Sequence, residues 1–236
     1  MRRNSNVTLL SEKECPVFKG ATGKVEGGYF MAKESMRAGN ARRKEIMEAC
    51  EKLYQNTSFK DITVRDIGNE TSVGRTSFYT YFQTKDEIFL AILEREYRNY
   101  AEELRNLTKL SRAIEKEDLA QAIADTLEGR ELFLKILSEN PFDMEKNCRE
   151  ECLTGYKAAY AEVIAAIMEV LAKFRPDMSA ADKTEFVYAF LPFLHGIYPY
   201  SVQSDKQKDA MVQAGIPGTG QPPEDLAYAF LCVLLI

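Results

Sequence analysis

Histidine is almost absent from the sequence, and its cysteines are not arranged for metal binding. His195 is the single histidine, and the five cysteines include no Cys-x-x-Cys pair. A structural zinc site needs four Cys or His ligands at short spacing, and a disulfide framework is typical of small exported chains with an even cysteine count. We therefore expect no metal site, no disulfide framework and a reducing, cytoplasmic location.

Long apolar runs and catalytic signatures are absent as well. The longest unbroken apolar run, residues 226–236, has eleven residues, whereas a helix that spans a bilayer needs roughly 20. The first ten residues lack the apolar stretch of a secretory signal. No GxSxG, GxGxxG or P-loop pattern occurs. These absences predict a protein without membrane spans or cofactor that is not an enzyme.

Positive charge is concentrated in one short segment of an acidic chain. Residues 37–85 contain nine Lys or Arg and six Asp or Glu, whereas residues 86–236 contain 16 and 26, and the whole chain has a net charge of −5. Screening limits electrostatic interactions to about 10 Å at ordinary salt. A small basic module can therefore bind a polyanion even though the chain as a whole is acidic.

The basic segment has the pattern of three helices. The first is amphipathic and ends near Asn56. The second begins at Thr63, where Asp66 three residues later suggests a capping box. The third covers residues 75–82 after a short turn, and Thr84 caps a longer fourth helix. Two short helices joined by a tight turn and braced by a first helix are typical of a helix-turn-helix DNA reader.

Residues suited to DNA contact lie on and beside the third helix. Small polar or basic groups at its start can reach base edges, and aromatic or basic groups beside them can hold phosphates. Those of the first kind are Arg75, Thr76 and Thr80, and those of the second are Tyr79, Tyr81 and Lys85. From composition alone, an ordinary helical core with scattered aromatic residues explains this segment equally well.

Residues 62–93, ITVRDIGNETSVGRTSFYTYFQTKDEIFLAIL, resemble the DNA-binding domain of TetR-type transcriptional regulators. The resemblance implies an all-α homodimer in which a three-helix helix-turn-helix domain precedes a helical ligand-binding and dimerisation domain. It also implies that Thr63 and Arg65 approach the DNA backbone, and it supports the roles given above to the third helix and Lys85. The expected partners are double-stranded DNA, a second subunit and a small-molecule effector that releases the protein from a near-palindromic operator.

The expected organisation has three parts. Residues 1–36, which contain several glycines and no sustained apolar period, are predicted to be a mobile extension. Residues 37–85 form the DNA-binding domain, and residues 86–236 form the effector-binding and dimerisation domain. Within the last part, the pattern predicts helices near residues 118–127, 131–138, 148–174, 180–197 and 224–236, with a loop over residues 201–223.

The second part of the chain, residues 86–236, is rich in aromatic residues, which suits an apolar effector pocket with a few polar anchors. We expect this pocket between the fourth helix, the 148–174 helix and the 180–197 helix, and we expect a largely uncharged effector. The candidate lining residues are Tyr97, Tyr156, Tyr160, Phe190 and His195. His195 also fits a simple helix-terminal residue, and a helical domain that binds a protein partner or nothing is the alternative function.

Two further features of the sequence allow more than one interpretation. Ser72 stands where the family usually has glycine, and a positive φ is expected there. Gly74 stands where a Ser or Thr cap is usual. Cys148 and Cys152 lie one helical turn apart beside Arg149, so a redox switch is conceivable, although buried apolar thiols are the commoner use of such cysteines.

Overall fold

The computed structural model describes residues 25–111, 114–216 and 220–235, and it places eleven α-helices and no strand in them. The all-α prediction is confirmed. The helices are α1 Val25–Asn56, α2 Val64–Asn69, α3 Arg75–Tyr81, α4 Lys85–Leu107, α5 Lys116–Asp125, α6 Glu131–Leu137, α7 Pro141–Glu145, α8 Glu150–Phe174, α9 Ala180–Ser201, α10 Asp205–Gln213 and α11 Pro223–Leu234. Residues from Arg42 onward form one compact unit, and those up to Ala41 form another.

The first helix begins earlier than the sequence pattern indicates. Regular structure was expected only from residue 37, but α1 already begins at Val25. Once a helix is nucleated, each further residue adds a hydrogen bond at little cost, so a helix extends beyond its amphipathic part. Residues 1–24, the rest of the predicted mobile extension, lie outside the described residues.

Two short helices were not foreseen. Helix α7 lies between two predicted helices, where Asn140 adopts a left-handed φ of 58° and Pro141 occupies the first helical turn. Helix α10 occupies most of a segment that was expected to be a loop with one helical turn. A capping box between Ser204 and Gln207 starts it. Such short helices depend on their caps rather than on a long apolar period, which is why periodicity overlooked them.

The DNA-reading part of the fold is a small three-helix core. The side chains of Ile46, Tyr54, Ile67, Phe78 and Phe82 are buried in it. The Thr63–Asp66 capping box at the start of α2 is present as predicted. These contacts fix α3 against α1 and α2 and leave its opposite side to solvent.

The predicted positive φ at Ser72 is wrong. Among described non-glycine residues, Asn140 alone has a positive φ. The Ser72 backbone N–H donates to the side chain of Glu45 on α1, so the turn between α2 and α3 is held from outside rather than by a left-handed residue. This hydrogen bond also lowers the pKa of the Glu45 carboxyl. Gly74 does begin α3, with no side-chain cap.

In the remainder of the compact unit, α4 packs along α8, α11 packs against α5 and α9, and α6 packs against α9. Helix α4 belongs to both parts, since the Phe89 ring on its first turns meets the ring of Tyr54 on α1 at 5.0 Å, edge to face. One continuous helix therefore connects the DNA-reading core with the helices that follow it.

A buried ion pair joins the same two parts. The side chain of Glu87 on α4 is 1% exposed, and its carboxylate accepts hydrogen bonds from Arg149 Nε at 2.8 Å and Arg149 Nη2 at 2.9 Å. It also accepts from the backbone N–H of Gln83 at 2.7 Å, and Arg149 Nη2 donates to the Tyr81 carbonyl at 3.0 Å. Burial alone would raise the pKa of Glu87, but the hydrogen bonds from Arg149 and Gln83 lower it.

We predict that Glu87→Gln destabilises the protein by about 3 kcal/mol near neutral pH, because it removes one charge of a buried ion pair. The lowered pKa of Glu87 means that its contribution is present above about pH 4.3, the usual value for glutamate. That contribution is lost as the pH falls through the folded-state pKa. Acid unfolding of the variant should therefore be less steep than that of the parent.

Urea unfolding at pH 7 and at pH 3.5 measures both effects. Glu150→Gln, at an exposed neighbour of Arg149 on α8, is the matched control and should change stability by less than about 0.5 kcal/mol. Equal losses in the two variants would contradict the role given to Glu87.

Candidate functional site

The outer side of α3 has the composition of a DNA-reading surface. Arg75, Thr76, Tyr79 and Thr80 are exposed, and the Tyr79 side chain is 45% accessible although it is aromatic. Phe78 on the opposite side is buried. Helix α3 thus docks through one face and presents polar, aromatic and basic groups on the other, which is what a reading helix requires.

Helix α2 contributes to the same surface. A groove of about 550 Å³ runs between α2 and α3, and its lining includes Arg65, Asn69, Arg75 and Tyr79. Thr63, the cap of α2, is exposed at the start of that helix. The structure therefore brings Arg65 together with Arg75 and Tyr79, as expected for residues that contact one ligand. We call this surface, formed by Thr63, Arg65, Arg75, Thr76, Tyr79 and Thr80, the reading face.

The acidic groups of the three-helix core are engaged within it. Asp61 accepts from the Ser58 hydroxyl, Asp66 from Thr63, and Glu70 pairs with Lys52 at 2.7 Å. Hydrogen bonds from Thr63 lower the pKa of Asp66, so this carboxylate stays charged but satisfied.

The two arginines of the reading face are in a different position. Neither Arg65 nor Arg75 forms a salt bridge with any described residue. Their charges are therefore available to an external polyanion.

Two predicted contacts are placed differently from the rest. Tyr81 is half-buried and packs against the core, because it lies at the end of α3 beside Arg149 rather than on its outer side. Lys85 does not extend towards the reading face. Its ammonium donates to the carbonyls of Phe59 at 2.6 Å and Ile62 at 3.0 Å, and lies 4.4 Å from the Phe59 ring centre.

The position of Lys85 corrects its predicted role. A third acceptor, the Lys60 carbonyl, lies at 3.3 Å, so the three N–H donors of the ammonium all have partners. Lys85 holds the connection between α1 and α2 in place, and that connection presents the start of α2. Periodicity could not reveal this contact, because it joins residues more than 20 positions apart.

A second concave site lies among α4, α7, α8 and α9. We call it the body cavity; it has a volume of about 220 Å³ and is lined by Tyr97, Asn140, Pro141, Phe142, Glu145, Tyr156, Lys157, Tyr160 and His195. It brings together four of the five residues expected in an effector pocket. The fifth, Phe190, is fully buried and packs against Phe186 at 5.7 Å, away from the cavity.

The body cavity is more polar than the sequence indicated. Glu145 and Lys157 form an ion pair at 2.6 Å within its lining, although few charges were expected there. Glu145 and Asn140 were missed because α7 and its start were not predicted. Since the two charges of the ion pair neutralise each other, the cavity still carries no net formal charge from them.

His195 lies inside α9 rather than at a helix end, because α9 continues through Pro199 to Ser201. Burial lowers the pKa of His195, a hydrogen bond with the Leu137 carbonyl opposes that shift, and the nearby charge of Lys157 lowers the pKa further. The imidazole is therefore neutral at pH 7, and its second nitrogen can accept a hydrogen bond.

The cysteine hypothesis gains no support. Burial raises the pKa of Cys148 and of Cys152, and nearby acidic groups raise both further. The Arg149 guanidinium, which could have favoured a thiolate, is paired with Glu87. Reactive cysteines need a lowered pKa, so these two are typical of structural thiols.

Two other kinds of site were searched for. The described residues contain no cluster of three or more His, Cys, Asp or Glu that could hold a metal ion. Among the helices of the described part of the chain, none is long and apolar enough to cross a bilayer.

Comparison with known proteins matches both parts of the chain. Residues 94–235 match the family model described as tetracyclin repressor-like, C-terminal domain, and residues 46–92 match that of bacterial regulatory proteins, tetR family. An uncharacterized HTH-type transcriptional regulator in the lacX 3' region of Lactococcus lactis subsp. lactis is 30% identical over 64 residues. Those residues are 27% of this chain and 33% of that protein, so the match spans about a third of the relative's length.

We predict that Lys85→Met lowers the stability of the protein by about 1–2 kcal/mol, because three carbonyl groups lose a charged donor. DNA affinity should fall through this loss of order, while the slope of log Kd against log salt stays unchanged. A lost phosphate contact would instead reduce that slope by about 0.9.

Thermal unfolding and DNA titrations at several salt concentrations test this. Lys60→Met, at an exposed position of the same connection, is the stability control and should leave the melting temperature unchanged. A reduced salt slope with unchanged stability for Lys85→Met would restore the phosphate role.

Proposed function

Because the chain belongs to the TetR family of bacterial transcriptional regulators, we propose that it is a repressor that binds a near-palindromic operator as a homodimer and leaves it when a small molecule binds. The observation that carries the proposal is the reading face, where Arg65 and Arg75 have no salt-bridge partner while the acids around them are engaged. Its DNA target places it in the cytoplasm.

Within this proposal, the residues of the reading face divide the work. Arg75 and Thr76, at the start of α3, read base edges, and Thr80 one turn later extends the read. Thr63, Arg65 and Tyr79 contact the sugar–phosphate backbone and fix the register.

Dimer formation is supported by an unusual stripe on α9. Tyr188, Pro192, Gly196 and Tyr200 follow one another at four-residue spacing and are all exposed, the Tyr188 side chain by 76%. The stripe contains no charge, and the exposed Val233 of the neighbouring α11 adds to the apolar surface. Small residues within it permit close approach of a second copy. Two α9 helices and two α11 helices then form a four-helix interface.

The dimer sets the distance between the two reading faces. A two-fold dimer presents its reading helices to successive major grooves when they lie about one DNA turn, roughly 34–36 Å, or a small multiple of it apart. An effector releases DNA only if it binds better to a conformation in which this distance is wrong. The body cavity is the site that we assign to the effector.

The proposed function is tested by capturing fragments of the source genome with the purified protein, beginning with the upstream region of its own gene. Recovery of a near-palindromic sequence, followed by its release with a small molecule, supports the proposal. Recovery of DNA without sequence preference would contradict it, and so would a captured protein partner in place of DNA.

We predict that Arg75→Ala weakens operator binding by about 1–3 kcal/mol and reduces the preference for operator over random DNA, because a base contact is lost. Arg65→Ala should weaken binding to both DNAs alike and reduce the salt slope by about 0.9. Fluorescence anisotropy with the two DNAs measures these effects.

Lys206→Ala, on exposed α10, removes the same charge away from the reading face and is the matched control. If all three variants lost affinity equally, net charge rather than the reading face would explain DNA binding.

We predict that Gly196→Glu converts the dimer to a monomer in light scattering, because it places a charge in the middle of the α9 stripe. The subunit itself should remain folded, since a Cβ at Gly196 meets no atom within 4 Å. Val212→Glu changes an equally exposed apolar residue on α10 and should leave the dimer intact. A Gly196→Glu protein that remains dimeric would exclude the stripe as the interface.

A further inference from the structure

The body cavity contains a buried hydroxyl that lacks a partner. Tyr97 is 1% exposed, and its Oη atom makes no hydrogen bond of normal geometry within the described part of the structure. Its electrostatic neighbours are Tyr156, Tyr160 and Glu145, all of which line the cavity. The Tyr97 hydroxyl therefore lies at the cavity wall. Buried hydroxyls are nearly always paired, so this one indicates a ligand group.

The size and walls of the cavity restrict the ligand. Its volume of about 220 Å³ equals the liquid volume of about seven water molecules, which suits a single substituted ring. The rings of Tyr156 and Tyr160 stand 5.7 Å and 5.5 Å from that of Tyr97, centre to centre. Such inclined aromatic walls favour a planar aromatic ligand.

The charges of the cavity restrict the ligand further. Glu145 and Lys157 already form an ion pair, so an ionised ligand would bring an uncompensated charge into a partly buried site, which is costly. A ligand hydroxyl, by contrast, can accept a hydrogen bond from Tyr97 and donate one to the free nitrogen of His195.

We propose that the body cavity binds a neutral, single-ring phenol whose hydroxyl pairs with the Tyr97 hydroxyl. The regulatory meaning of this site rests on the proposed function, but the binding itself does not. The proposal identifies Tyr97 as the residue that selects the hydroxyl group.

The test is calorimetric titration of the full-length protein, without DNA, with 4-methylphenol, toluene and 4-methylbenzoate. We expect 4-methylphenol to bind at least about tenfold more tightly than either analogue, because one charge-neutral hydrogen bond is worth about that factor. Equal binding of toluene, tighter binding of 4-methylbenzoate, or no binding of 4-methylphenol would overturn the proposal.

Two matched variants isolate the hydroxyl. Tyr97→Phe should lower the affinity for 4-methylphenol by about tenfold and raise the melting temperature of the free protein, because an unsatisfied polar group is removed. Tyr100 carries a second buried hydroxyl without a partner in hydrogen-bond geometry but does not line the body cavity. Tyr100→Phe should therefore raise the melting temperature without changing the affinity. Unchanged affinity in Tyr97→Phe would refute the assignment.

A DNA-release assay separates this proposal from the function. If 4-methylphenol binds with the expected selectivity but leaves the operator complex intact, the phenol site is supported and the effector role fails. If another molecule releases the DNA while no phenol binds, the repressor function is supported and the phenol site fails.

Discussion

The buried carboxylate of Glu87 is the interaction on which the relation between the DNA-reading helix and the rest of the compact unit depends. It receives hydrogen bonds from Gln83, just after α3, and from Arg149, just before α8. Arg149 in turn binds the carbonyl of Tyr81 at the end of α3. An ion of this kind is tolerated in a protein interior only when every polar atom is paired. The end of α3, the start of α4 and the start of α8 are consequently fixed to one charge.

The same junction adjoins the body cavity through α7 and α8. Asn147, in the connection between them, accepts a hydrogen bond from the Thr84 hydroxyl at 3.1 Å and donates one to Asp86 at 3.1 Å. Residues on either side of this connection, Glu145 and Tyr156, line the cavity. A change in the position of α7 therefore acts directly on the start of α4, and through Glu87 on α3.

How much of this could be predicted from the sequence depends on the range of the interaction. The Thr63–Asp66 cap, the end of α1 at Asn56 and the docking face of α3 follow from residues a few positions apart, and the structure has them as expected. The partners of Lys85 and Glu87 lie 23 to 62 positions away. Periodicity contains no information on such contacts. The cavity was foreseen as far as it depends on long helices, and its polar wall was missed with α7.

Energies indicate how an effector of the proposed kind can act on the reading face. Breaking the Glu87–Arg149 ion pair would cost about 3–5 kcal/mol. An effector contributes only the difference between its affinities for two conformations, and a tenfold difference supplies about 1.4 kcal/mol. A one-ring ligand with few contacts therefore lacks the energy to break this ion pair. The conformational change that separates the reading faces must instead leave Glu87 and Arg149 together, so that α3, the start of α4 and the start of α8 move as one body.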